Sequence, residues 1–404
     1  MAATSSHTLK RPRTAGFALV LAAAIGAAAL VTVVLTRGGS SRDASVPEAQ
    51  SAPVTAPLPV TVVGTQGAQA RVTTFSDPDG RLDAPRGLTV GADGNVWFTA
   101  GRAQLGRITP GGELTLYRDP AGLIDAPDTI VTGADGALWF TSLGDRIGRI
   151  TTSGDITSFP VGGGDAWGPL ALAPGADGNI WFTTASNQVG RMTPTGDVVV
   201  FDGNPAEVVF PSHMAAGSDG NVWFTNLLNG RIGRVTPDGQ ITTYDVSEAG
   251  AGLAGITAGP DGDMWFTGST TNRIGRITAD GTVSAFDGTA AGVSEPGAIT
   301  PGPDGALWFT NINNRIGRIT LDGTITTYDT DTAEVRAPFG ITLGPDGNVW
   351  FTSPANDRIG FVRLPFADAG DAPDAPVPEY QPFPWELVPE LDPGWFPPVV
   401  IPRS

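Results

Sequence analysis

The chain has 404 residues and a formal charge of −17. No basic stripe follows the first fifteen residues, which excludes a phosphate-tracking nucleic-acid surface. With no cysteine, disulfides, thiolate metal sites and a cysteine nucleophile are excluded, and the 40% hydrophobic content beside 55 glycines and 35 prolines describes a folded, turn-rich protein rather than a disordered one.

Residues 1–14 carry Lys10, Arg11 and Arg13, and read as a cytoplasmic basic terminus. Residues 15–36 (AGFALVLAAAIGAAALVTVVLT) carry no charge. As a helix this stretch spans roughly 33 Å, enough to cross a hydrocarbon core of about 30 Å. The basic cluster before it predicts an N-inside orientation, against which Arg37 and Arg42 act. The run is longer than the apolar core of a secretory signal, about 7–15 residues, so it reads as a retained transmembrane signal-anchor. The rest of the chain is then extracytoplasmic on a single-pass membrane protein, or secreted if the segment is cleaved. Residues 37–69 are rich in Ser, Ala, Pro and Val without a sustained period, and read as a flexible stalk.

From residue 70 to 366 one phrase recurs: GADGNVWFT, GADGALWFT, GADGNIWFT, GSDGNVWFT, GPDGDMWFT, GPDGALWFT and GPDGNVWFT. Its tryptophans, Trp97, Trp139, Trp181, Trp223, Trp265, Trp308 and Trp350, are 42 or 43 residues apart. A second phrase of the type IGRIT follows each, then a segment ending in an aromatic, as at Tyr117, Phe159 and Phe201. A fixed period near 42 with four short β-prone segments per unit is the signature of a propeller blade. In the fourth unit the segments are HMAA, NVWFT, RIGRVT and QITTY, joined in pairs by Asp219-Gly220 and Asp238-Gly239. Asp-Gly suits tight hairpin turns. Within NVWFT, Val and Phe point one way and Trp the other, so the sheet is apolar on both faces and only stacking around an axis buries both. The seven tryptophans are read as core. The last unit lacks its fourth strand, and Arg71-Val72-Thr73-Thr74-Phe75 matches Gln240-Ile241-Thr242-Thr243-Tyr244 in register. The predicted fold is therefore all-β: a seven-bladed propeller of four-stranded antiparallel blades, closed by an N-terminal strand, beside one N-terminal transmembrane helix.

Residues 367–404 hold prolines at 373, 376, 378, 382, 384, 389, 393, 397, 398 and 402. That density prevents helix or central strand and leaves extended chain. It either docks on a partner or folds back on the propeller.

The meander places turns one-to-two and three-to-four on one face and the variable loops on the other, where sites are usually built. Trp167 stands in a variable Gly-rich loop (VGGGDAWGP), either to stack on a ligand ring or to cap a blade.

The phrases GPDGNVWFT and NRIGRIT, with PFGIT at 338–342, resemble the virginiamycin B lyase (streptogramin lyase) family over residues 70–364. The resemblance implies opening of a cyclic depsipeptide antibiotic by β-elimination at its ester. It implies a histidine base, and Mg²⁺ held by carboxylates to stabilise the enolate-like charge. The family phrase Glu-Pro-His-Gly-Ile-Thr corresponds here to Glu295-Pro296-Gly297-Ala298-Ile299-Thr300, so Gly297 replaces the base. Asn311 replaces a carboxylate after Trp-Phe-x, and Ala254 stands where a second His would be one blade earlier. Across the blades the first-strand position reads Arg86, Asp128, Leu170, Ser212, Ala254, Gly297 and Phe339. The position after WFT reads Ala100, Ser142, Thr184, Asn226, Gly268, Asn311 and Ser353. His213, one residue out of step, is read as structural and directed towards a neighbouring blade.

The reading is a membrane-anchored recognition propeller that lacks the lyase base. Its ligand, a small molecule, peptide or glycan, meets Arg86, Trp167, Glu295, Asn311 and Phe339 on the variable face. No catalytic residue and no cofactor are expected; Mg²⁺ enters only with retained lyase activity, where Glu295 is the candidate ligand, needing further oxygens from substrate. The alternatives are a carbon–oxygen lyase using other residues, with Asp128 or Glu295 as base, and an envelope assembly protein docking through its tail.

Overall fold

The computed structural model describes residues 54–363 other than 59, 65–70, 102, 120–121, 143, 162–167, 205, 250–251 and 331–333. The terminus 1–14, the apolar segment 15–36, most of the stalk, Trp167 and the tail 367–404 lie outside the described residues. Among the described residues no helix is long and apolar enough to cross a membrane.

Seven antiparallel sheets form, one per repeat. Blade 4 shows the plan: an inner strand Pro211–Ala216, then Val222–Asn226, Arg231–Val235 and an outer strand Ile241–Asp245. The Asp-Gly turns place the glycine in the left-handed region, as at Gly220 (φ +76°), which an L side chain rarely adopts.

The core is one interface repeated around the ring. Trp97 of blade 1 packs with Leu138 and Phe140 of blade 2, and Trp139 of blade 2 with Ile180 and Phe182 of blade 3. The series ends with Trp350 of blade 7 against Val96 and Phe98 of blade 1. Strand alternation explains this, since Trp and Phe are adjacent and face opposite sides of their blade. Each indole is also tied at its polar end. Trp97 Nε1 donates to Asp93 of its own Asp-Gly turn at 3.0 Å, and all seven tryptophans repeat the bond. The aromatic of the outer strand stacks on the indole with centroids 5.1 to 5.6 Å apart. The turn aspartate pairs with the arginine of the IGR phrase, as in Arg149 to Asp135 at 2.7 Å. The motif GxDGxxW…IGR thus encodes one packing unit, which accounts for its repetition.

Closure follows the expected route. Strand β3 (Arg71–Ser76) pairs with Arg358–Arg363, with Phe75 opposite Ile359, and Phe75 stacks on Trp350. The stalk boundary is corrected. Residues Val54–Pro57 form strand β1 and Val60–Gly64 form strand β2. Strand β2 pairs with β3 as a fifth strand of blade 7, whereas β1 pairs with Glu113–Arg118 as a fifth strand of blade 1. The segment VTAPLPVTVVG is rich in β-branched residues, and Pro57 ends its strand at a sheet edge, where a missing N–H is tolerated. Leu58, between the two strands, is buried beside Leu114 and Leu116. The N-terminal segment therefore clasps both blades at the seam.

Candidate functional site

Most blades begin with a left-handed residue followed by proline. Ala84, Ala126, Phe210, Glu295 and Ala337 have φ between +39° and +51°. Non-glycine residues in this region are strained, and here the preceding blade supports them. Asp357 Oδ1 accepts from Ala84 N–H at 2.8 Å, Asn187 from Phe210 at 2.8 Å, Asn272 from Glu295 at 3.0 Å and Asn314 from Ala337 at 2.9 Å. The loop two-to-three of one blade thus fixes the first residues of the next, and with them the rim of the channel.

Two residues after each strained position stands the first-strand series. Its carbonyls form an inner belt. Thr99 Oγ1 donates to Asp128 O at 2.7 Å, Thr225 to Ala254 O at 2.9 Å, Thr267 to Gly297 O at 2.6 Å and Thr310 to Phe339 O at 3.1 Å. Thr352 closes the belt on Arg86 O at 2.6 Å. In these five blades the threonine of WFT is therefore a blade-to-blade connector that takes up the carbonyl of the series rather than its side chain; Ser212 also adds its side chain, with Oγ 3.1 Å from Thr225 Oγ1 and donating to Leu253 O at 3.4 Å.

Three of those side chains meet. The Arg86 guanidinium lies over the Phe339 ring, 4.3 Å from its centroid, and its Nε donates to Asp128 Oδ1. Phe339, Arg86 and Asp128 belong to blades 7, 1 and 2. Both charged side chains stay accessible, 31% and 43% exposed. The remaining positions, Leu170, Ser212, Ala254 and Gly297, carry no charge, and a Cβ at Gly297 would meet only Thr310 Oγ1, at 2.9 Å.

His213 follows Ser212 at a bulge in the inner strand and is half-buried. Burial lowers its pKa below the ordinary value, while the Asp128 carboxylate, two blades away, acts in the opposite sense. The His213 ring Nδ1 lies 3.5 Å from Ser212 Oγ.

The other expected residues fall elsewhere. Glu295 occupies a strained position and is exposed. Asn311 is fully buried, and its Oδ1 accepts from Ser294 N–H at 3.3 Å. The same latch recurs at Ser142 on Asp125, Asn226 on Val209 and Ser353 on Arg336. The position after WFT therefore holds the loop that precedes its own blade. Trp167 lies outside the described residues. Among the described residues no three acidic or histidine side chains converge to hold a metal ion. A separate cleft of about 650 Å³ lies at the seam of blades 7 and 1, lined by Arg81, Asp83, Gln104, Arg118 and Asp357 among others.

A family model described as the virginiamycin B lyase family matches residues 71–291 and 289–396. A solved streptogramin B lyase is 33% identical with a TM-score of 0.67, covering 73% of this chain and 98% of its own. A catalytically inactive histidine-to-alanine variant of virginiamycin B lyase from Staphylococcus aureus, with quinupristin, is 32% identical with a TM-score of 0.66, covering 73% and 99%. The WD40 propeller domain of Doa1, 13% identical with a TM-score of 0.55 over 72% and 95%, shares the fold alone. No match is found among curated proteins.

Proposed function

The chain belongs to the virginiamycin B lyase family, and we propose that it is a ligand-binding propeller whose recognition site is the channel mouth, rather than a lyase. The carrying observation is the Arg86–Asp128–Phe339 cluster in the ring of positions from which the resemblance draws its histidines. Gly297 and Ala254 stand at those two positions and supply no proton acceptor. A base is needed because the α-proton of an ester is only weakly acidic. On this reading the apolar segment 15–36 holds the propeller at the outer face of a membrane, where its variable loops meet the ligand.

One observation favours a second reading. Burial lowers the pKa of His213 and so favours its neutral imidazole, the form that accepts a proton. A lyase with His213 as a displaced base would follow.

The two readings separate in one assay. The full-length protein is incubated with quinupristin and Mg²⁺, and the products are followed by chromatography and fragment mass spectrometry. β-Elimination opens the ring without adding water, so its product has unchanged mass and shifted retention. The binding reading expects no such product even at high protein concentration. A product of unchanged mass that disappears with His213→Ala would overturn it in favour of the second.

A further inference from the structure

The same cluster carries a statement about ligand class, which rests on the channel-mouth reading above. Among the described residues the Arg86 guanidinium has one side-chain hydrogen-bond partner, Asp128, through Nε. Its Nη1 and Nη2 donors have no hydrogen-bond partner among the described residues, nor has Asp128 Oδ2. Guanidinium has a fixed fork geometry, so the free Nη edge is oriented by the Nε contact. Phe339 covers one face of the fork at 4.3 Å and restricts its rotation. Both charges reach solvent, at 31% and 43% exposure.

A lone arginine would select an anion, and a lone aspartate a cation. Here the two are in contact, so the pair is close to neutral and repels half of either kind of ligand. It also presents a donor edge beside an acceptor oxygen. The complement of such a pair carries a carboxylate and an ammonium only a few bonds apart. We propose that the channel mouth binds an α-zwitterion, the head group of a free amino acid, with its carboxylate on the Arg86 Nη edge and its ammonium on Asp128 Oδ2. Bidentate arginine–carboxylate contact supplies the directional half of recognition. Across the ring, Ala254 and Gly297 present no charge or bulky side chain to compete with the ligand.

The test titrates the full-length protein with each common L-amino acid, reading the thermal midpoint and confirming positives by calorimetry. A ligand that binds only the folded state raises the midpoint in proportion to its saturation. At least one amino acid is expected to bind. Its N-acetyl derivative, which lacks the ammonium, and its amide, which lacks the carboxylate, should each bind about 10- to 100-fold more weakly, the loss expected for one charge-assisted hydrogen bond. Arg86→Gln and Asp128→Asn should each abolish binding with unliganded midpoints near that of the parent. Arg86→Lys, a second variant that keeps the charge and removes the fork, should weaken it. Binding of the N-acetyl derivative as tight as that of the parent would overturn the zwitterion and leave the channel-mouth reading standing. Absence of binding by every amino acid, or binding unchanged in Arg86→Gln, would overturn the proposal as well. Turnover of quinupristin would instead remove the reading on which it rests.

Discussion

Two threonines at the same repeat position make opposite predictions for the same substitution. Thr352 is fully buried, and its Oγ1 both donates to Arg86 O at 2.6 Å and accepts from Gly340 N–H at 2.9 Å. Valine has nearly the same shape but neither bond. Thr352→Val therefore leaves a buried carbonyl and a buried N–H without these partners. At about 1–3 kcal/mol for each unsatisfied group, partly relieved by local movement, the loss is about 2–4 kcal/mol. Thr183, two residues after Trp181, is just as buried, and its Oγ1 has no hydrogen-bond partner among the described residues. Thr183→Val removes a hydroxyl that was desolvated without compensation, so stability should stay level or rise by about 1 kcal/mol. Urea denaturation measures both, as midpoint shifts at unchanged slope. A gap of about 2 kcal/mol or more between the variants is expected. Equal destabilisation would refute the reasoning, because the inner belt would then not be what distinguishes the two positions.

His213 gives a pH prediction. Burial lowers its folded-state pKa below the ordinary 6.5, so the unfolded chain binds a proton more readily. Stability should then fall as pH drops below about 6.5, and His213→Gln should flatten that decline in denaturation midpoints taken across the window. At the acidic end, burial raises the pKa of Asp135, but hydrogen bonds from Arg149, Trp139 and the Ala137 N–H more than offset this and lower it overall. Its contribution is present above the ordinary carboxylate value and lost as pH falls through the depressed one, so Asp135→Asn should reduce acid sensitivity below about pH 4. Glu295→Gly should raise the thermal midpoint, since glycine accepts φ +43° without strain, a gain of about 0.5–1 kcal/mol. Leu58→Ala should cost about 2 kcal/mol by denaturation if the N-terminal clasp belongs to the folded unit, and nothing if it does not.

The scaffold was largely legible because its signals are covalently periodic. The seven tryptophans, their Asp-Gly turns and the IGR arginines recur together because each unit must build the same interface, and Phe75 could be placed against the last blade by register alone. The clasp was hidden by composition. Prolines among β-branched residues look like a linker until a sheet edge is present to pair with them, and that edge comes from strands up to some sixty residues away in sequence.

The site became readable where the scaffold's requirements could be subtracted. At the position after WFT, Ser142, Asn226, Asn311 and Ser353 each accept a backbone N–H from the loop seventeen residues earlier, so in these four blades a short polar side chain is tied to the scaffold. Asn311 looked like a replaced carboxylate, but its side chain serves the latch. The first-strand position is the reverse case. Apart from Ser212, whose Oγ also bonds to its neighbours, the belt uses only its carbonyl, so the backbone is constrained while the side chain is not. Arginine, aspartate, leucine, serine, alanine, glycine and phenylalanine can therefore succeed one another around the ring at little cost to the fold. A propeller built this way can vary the side chains at its first-strand positions without disturbing its blades, so the motif that identifies the family does not by itself fix the chemistry there.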